Sequence, residues 1–238
     1  MSRRSYELFC EGYHDRAFLG GLLVSRPGWR DPRGSKNQPV LNPVSGLKVE
    51  KGRHSFEHAG GAFVEVVPAE GRPKVIKFAK QRVKAAPTSP LAGVIAVVDL
   101  DSEDQDLQLE EVLTQQRQHV QNIQGTFETA VSVVQWCALG PAMPGVPAKH
   151  TLERVVCLAL GRAYSDRAAH VHRWLDVVAA GAPSDVKQFA WSYMAGWYAE
   201  HGCDDFYRCL WRDPEVVAHL YDVLVPSGIM EVLRELEA

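Results

Sequence analysis

Two apolar runs in the chain stop on acids. Tyr6-Glu7-Leu8-Phe9-Cys10 ends at Glu11-Gly12, and Gly93-Val94-Ile95-Ala96-Val97-Val98 ends at Asp99-Leu100-Asp101. In an open parallel sheet the carboxyl ends of the strands form the crevice where ligands sit. If the two strands are neighbours, Glu11, Asp99 and Asp101 converge. Asp99 and Asp101 project to the same side, because strand residues two apart share a face. Three carboxylates in one pocket repel one another unless a cation neutralises them, and an all-oxygen donor set suits Mg²⁺ or Mn²⁺. Such a centre acts on phosphodiesters. Each acid also has a plainer use: Glu11 as a turn residue, Asp99 and Asp101 as Asx-turn residues or caps of the next helix. Gly12 is expected to let the backbone turn sharply and a phosphate come close.

The elements that must carry these acids are legible from patterning. Residues 93–98 are almost wholly apolar and β-branched, the composition of a strand covered on both faces in a parallel sheet. Ala62–Val67 and Ala130–Ala138 read as further strands. After the first strand, apolar residues at 17, 18, 19, 22, 23 and 24 make a helical stripe. Lys74–Ala85 reads as a basic amphipathic helix, and 103–121 as an exposed, Gln-rich one. Residues 25–60 are rich in Pro, Gly, Asn and Lys with no clear period, and are expected to be a long insertion or loop. From Thr151 onward the pattern is helical, with stretches near 165–180, 184–199, 214–224 and from 227. Thr151, Pro183-Ser184 and Asp213-Pro214 are start signals. Strands alternating with helices, then helices only, predict an α/β sheet over 1–150 and a helical region over 151–238 packed on it.

Charge is uneven. Residues 26–84 hold 13 Lys+Arg against 5 Asp+Glu, a local +8, whereas the remainder carries −11 within a net charge of −3. A phosphate-tracking surface on an acidic protein has this form, as does a solvated helix face beside a basic loop. The five cysteines include no C-x-x-C pair, so neither a disulfide framework nor a zinc ribbon is expected. Cys10, Cys137 and Cys157 lie in apolar runs and read as small buried hydrophobes. No run reaches the roughly 20 apolar residues that span a bilayer, and no signal-peptide core is seen. A cytoplasmic protein without a membrane partner is the expectation.

With these residues in view, the chain resembles the topoisomerase-primase (TOPRIM) family. Glu11-Gly12-Tyr13-His14-Asp15 resembles the family's strand, Glu-Gly, x-x-Asp motif, and Val97-Val98-Asp99-Leu100-Asp101-Ser102 its Asp-x-Asp motif, about 90 residues apart in the chain. Thr151-Leu152-Glu153 is similar to an element of the nuclease branch, and Lys187 stands where that branch carries a catalytic lysine. The resemblance extends to small stand-alone prokaryotic TOPRIM-like proteins and to overcoming-lysogenisation-defect nucleases. It implies a TOPRIM-like, mostly parallel sheet. It also implies Glu11, Asp99, Asp101 and Glu153 as metal ligands for Mg²⁺ or Mn²⁺, with Glu11 and Lys187 catalytic. The implied activity is that of a metal-dependent endonuclease on DNA or RNA, possible beside a separate ATPase subunit in phage defence and as a homo-oligomer. The 25–60 insertion departs from the family pattern and weakens any transfer of substrate.

Two other functions are compatible with the residues. One is a non-catalytic TOPRIM-like module whose basic insertion holds nucleic acid or protein. The other is a receiver-like domain with an acidic pocket, disfavoured by the helical final third. ATP hydrolysis by the chain itself is not expected, since no G-x-x-x-x-G-K-[ST] loop occurs, and no G-x-G-x-x-G follows the first strand.

Overall fold

A computed structural model describes residues 3–33, 40–86, 91–140, 143, 146–178 and 203–238. The fold is α/β, with helices flanking a six-stranded sheet of order β2-β3-β4-β1-β5-β6. The strands are β1 (Arg4–Cys10), β2 (Trp29–Arg30), β3 (His54–His58), β4 (Ala62–Pro68), β5 (Leu91–Asp99) and β6 (Ala130–Trp136). β1 pairs in parallel with β4 on one side and β5 on the other. The two motif-bearing strands are therefore neighbours, the condition under which their terminal acids could converge.

Within 25–60, where a long insertion or loop is expected, two short stretches are regular. This segment contributes β2 and β3, which run antiparallel and extend the sheet beyond β4. A two-residue strand and the run His54-Ser55-Phe56-Glu57-His58 carry too little alternation to be recognised alone. Their strand character comes from the ladder they join.

The chain divides into two compact units, and the boundary expected near residue 150 is not where it divides. One unit comprises Met1–Val98, Thr114–Val134 and Gly228–Ala238; the other comprises Asp99–Leu113 and Gln135–Ser227. The first unit contains α1 (Tyr13–Ser25), α2 (Arg72–Ala85), most of α3 (Leu109–Gln124), and the last helix, α8 (Ile229–Glu237). Its core joins Phe9, Val67, Val75, Ala79, Val83, Ala96, Val98, Ile123 and Val133. The C-terminal helix belongs to this unit because Glu237 accepts two hydrogen bonds from Arg26, both 2.6 Å, and one from the Trp29 indole at 3.0 Å. A bidentate, charge-assisted pair of this kind is a strong anchor.

The second unit contains α4 (Leu152–Ala163), α5 (Ser165–Val178), α6 (Cys203–Leu210) and α7 (Pro214–Leu224). Residues 152–161 of α4 are buried on every side, so α4 is the centre of this unit, packed on α5 and α7. Asp213 caps α7 by accepting from Glu215 N and Val216 N, and Tyr164 Oη donates to the same carboxylate at 2.8 Å. The helix starts expected at Thr151 and Asp213-Pro214 are thus where the pattern put them. The stretch 184–199 and its start at Pro183-Ser184 lie outside the described residues. Among the described residues no single helix is long and apolar enough to cross a membrane.

Candidate functional site

In the first unit, Glu11 follows directly on β1. Its backbone carbonyl accepts from Gly71 N at 2.9 Å and its carboxylate from Arg72 N at 3.1 Å. The carboxylate thereby sits at the amino end of α2, where the helix dipole and an unpaired N–H favour negative charge. The chain bends at Glu11-Gly12 as expected, with Gly12 extended at φ −152°, a conformation open to any residue. Asp15 accepts from Gly12 N at 3.0 Å and closes the start of α1.

In the second unit the acids gather around the segment between β6 and α4. Asp99, 7% exposed, accepts from Leu152 N at 3.0 Å. It supplies the amino-terminal partner of α4 that Thr151 does not, since Thr151 makes no side-chain cap. Glu153 is buried in the first turn of the same helix. Asp101 adopts φ 62°, a left-handed conformation that a non-glycine residue keeps only when its surroundings hold it. The hold is visible: Asp101 N donates to His150 O at 3.0 Å, and His150 N donates to Ser102 O at 2.8 Å. Lys149 Nζ lies 2.8 Å from the Asp101 carboxylate, and this hydrogen bond raises the lysine's pKa, against desolvation.

Lys149 and His150 were not singled out by sequence reasoning. They lie beyond a Pro/Gly-rich loop with no periodicity, and the only signal was a Lys-His pair just ahead of the Thr151 helix start. His150 is 1% exposed. Its Nδ1 accepts from Ala138 N at 3.3 Å, and its Nε2 lies 2.9 Å from Asp104 O. A carbonyl only accepts, so Nε2 carries the proton and the ring is neutral. Burial accordingly pushes its pKa below the ordinary imidazole value of 6.5. A base whose pKa is depressed on folding binds more protons when unfolded. Its stabilising contribution is complete above pH 6.5 and is lost as pH falls through the folded value. Urea midpoints measured at about pH 7.5 and 5.5 should therefore fall more for the wild type than for His150→Gln. Equal drops would show that the ring does not stay neutral in the fold.

Arg154, fully buried on α4, organises the same segment. Its Nε donates to Ala138 O at 3.0 Å, Nη1 to Pro147 O at 2.8 Å and Ala148 O at 3.3 Å, and Nη2 to Gly140 O at 3.2 Å. Lys149 and His150 follow directly on the carbonyls it holds.

Glu11, Asp99 and Asp101 thus each have a protein partner in this structure. Among the described residues no group of three or more His, Cys, Asp or Glu side chains is placed to hold a metal ion, so the residues as placed do not fit an assembled Mg²⁺ or Mn²⁺ site. Lys187 lies outside the described residues.

Sequence reasoning also passed over two acids inside strands. Glu7 on β1 stands opposite Glu65 on β4 in the parallel register, and each is 7% exposed. Like charges directly opposite on neighbouring strands are destabilising. Here Arg82 pairs with Glu7 at 2.6 Å. Glu65 receives Asn42 Nδ2 at 2.9 Å and Arg53 Nη1 at 3.4 Å. Burial still raises the Glu7 pKa above 4.5, opposed chiefly by Arg82.

No protein-family model and no curated protein matches the chain. Among solved structures, a hypothetical protein from Pyrococcus horikoshii OT3 is similar, with a TM-score of 0.63 and 18% identity over 99% of this chain and 100% of the other. At that identity the likeness establishes the α/β fold alone.

Proposed function

We propose that this chain is a TOPRIM-like protein that carries out Mg²⁺- or Mn²⁺-dependent phosphodiester chemistry on nucleic acid, as a nuclease, using Glu11, Asp99, Asp101 and Glu153. One observation carries the reading. β1 and β5 are adjacent and parallel, with Cys10 opposite Val97, so the Glu-Gly and Asp-x-Asp motifs both follow from neighbouring strands at their carboxyl ends. Lys149 beside Asp101 adds a cation suited to a substrate phosphate, the role the resemblance gives to Lys187. Since the acids do not form a metal group as placed, the reading requires Lys149 to release Asp101 when a divalent ion and substrate arrive.

A second reading, a non-catalytic nucleic-acid-binding module, is favoured by a different observation. Lys74, Lys77, Lys80 and Lys84 are exposed along α2 at helical spacing, a stripe that can follow a phosphate backbone.

One set of assays separates the two. Purified protein is incubated with DNA and with RNA, with and without Mn²⁺, beside Asp101→Asn and Glu11→Gln. Asparagine tolerates the left-handed backbone at 101, so the first variant should fold. The nuclease reading expects Mn²⁺-dependent cleavage that drops at least about a hundredfold in both variants. Full activity in both would sink it. The binding reading expects no cleavage, but binding whose salt dependence falls by roughly one unit of slope per lysine in Lys77→Gln, Lys80→Gln and Lys84→Gln. Neither cleavage nor salt-sensitive binding would dispose of both.

A further inference from the structure

A cavity of about 430 Å³ opens over one face of the sheet in the first unit. Its floor is the face on which β1 presents Ser5, Glu7 and Phe9, residues two apart, beside Glu65 and Val67 of β4. Phe78 and Arg82 of α2 form one wall, and the segment 42–53 another. The volume lies in the range of small-molecule sites.

What lines the cavity is unusual for a fold interior. A pair of facing carboxylates on central parallel strands would be replaced by apolar residues at no loss of stability, and in many cases at a gain. Buried acids facing each other in a concave site, each held by a specific partner, are instead the mark of a functional cleft. The guanidiniums are arranged to match. Arg82 is held by Glu7, yet its Nε is buried and has no hydrogen-bond partner. Arg53 is held between Glu65 at 3.4 Å and Glu50 at 2.8 Å. Asn42, 7% exposed, donates both to Ser5 Oγ and to Glu65, each at 2.9 Å, and so ties the segment 42–53 to the floor.

The charges choose the occupant. The lining contains three acids, Glu7, Glu50 and Glu65, and three bases, Lys48, Arg53 and Arg82. A net anion entering this space faces three carboxylates, and a net cation faces three cations. Glu7 with Arg82 and Glu65 with Arg53 already offset one another, so an occupant of net charge can favour one set only by opposing the other. A molecule that brings both signs can answer both sets. Phe9 and Phe78, with ring centroids 6.2 Å apart and a tilt of 51°, offer an apolar surface for the rest of it.

We propose that this cavity binds a free α-amino acid with an apolar side chain, its ammonium directed to Glu7 and Glu65, its carboxylate to Arg82 and Arg53, and its side chain to the two phenylalanines. The site is independent of the phosphodiester reading, since it uses none of those residues.

The test is titration calorimetry of the whole chain against the twenty standard amino acids one at a time. The best binder is then compared with its N-acetyl form, which lacks the ammonium, and its carboxamide form, which lacks the carboxylate. Each loss is expected to weaken binding by about tenfold or more. Glu65→Gln should do the same. Because that change touches a buried network, Gln81→Trp is run beside it. Gln81 is exposed on α2 and lines the cavity, so an indole there should block entry while leaving the thermal midpoint unchanged. The proposal is overturned if no amino acid binds at about 10 mM, a concentration that reveals even contacts of a few kcal/mol. It is equally overturned if the two derivatives bind as well as the parent, or if neither variant weakens binding.

Discussion

Arg154→Met is expected to lower the unfolding free energy by about 3–5 kcal/mol, read as a drop in the urea midpoint at unchanged slope. The methionine matches the arginine's aliphatic stem and keeps its apolar contacts, so the cost comes chiefly from the hydrogen bonds of the guanidinium. The carbonyl oxygens of Ala138, Gly140 and Pro147 lose the arginine as donor at once, while Ala148 O keeps Gln105 Nε2 at 2.8 Å. Each buried polar group left unpaired costs about 1–3 kcal/mol, and the sum is reduced because part of the loop can turn toward water. Arg154→Lys should fall between, since an ammonium offers three donors from one point and cannot reproduce the planar fork. The change should also be felt at Asp101, because Lys149 follows Ala148 directly. In the variant, the Lys149 ammonium should lose the raised pKa that its hydrogen bond to Asp101 provides, a shift readable by NMR. A loss of stability under about 1 kcal/mol would mean that the guanidinium does not hold the segment.

Arg82→Ala is expected to make stability strongly pH-dependent. Glu7 titrates above 4.5 in the fold, because burial outweighs its arginine. A carboxyl group raised on folding contributes stability that is complete below its unfolded pKa and is lost as pH rises through the folded value. Removing Arg82 takes away the chief influence lowering the Glu7 pKa, so the folded value climbs further and more stability is lost at neutral pH. Removing one partner of a fully buried pair costs about 3–5 kcal/mol. The Arg82 side chain is 35% exposed, so solvent screening reduces the expected loss to about 2 kcal/mol at pH 7. The deficit should shrink as pH falls toward 4.5. The double variant Arg82→Ala with Glu7→Gln should recover most of it at pH 7, because glutamine carries no charge to bury. A deficit that is the same at both pH values would show that Arg82 acts by packing rather than by charge.

Much of the frame was legible in the residues. The unbroken apolar run at 93–98 made a strand covered on both faces the economical reading, and β5 is that strand. Acids at the ends of two such runs could converge only if the runs were neighbours, and β1 and β5 do pair in parallel. Pro214 after Asp213 marked the start of α7 without ambiguity, because the cap and the missing N–H act within one turn. Each of these depends on a few consecutive residues, and local chemistry suffices to decide them.

What local chemistry could not decide was which distant groups would meet. Glu7 sat unremarked in an apolar run; only the register that places it opposite Glu65 turns it into half of a buried acidic pair. Lys149 and His150 gained their roles when the β6–α4 segment came to lie along residues 99–104, held there by Arg154 and by backbone hydrogen bonds. His54–His58 became a strand because β4 offered an open edge, and Trp29–Arg30 because β3 then offered the next one. Composition and periodicity by themselves settled the α/β class, the central strands and the acids at their ends, since these follow from side-chain burial repeating along the chain. Strand register, the docking of loops and the partner each acid takes were decided in three dimensions, because hydrogen bonds and charge pairs between residues far apart in sequence leave no periodic trace in it.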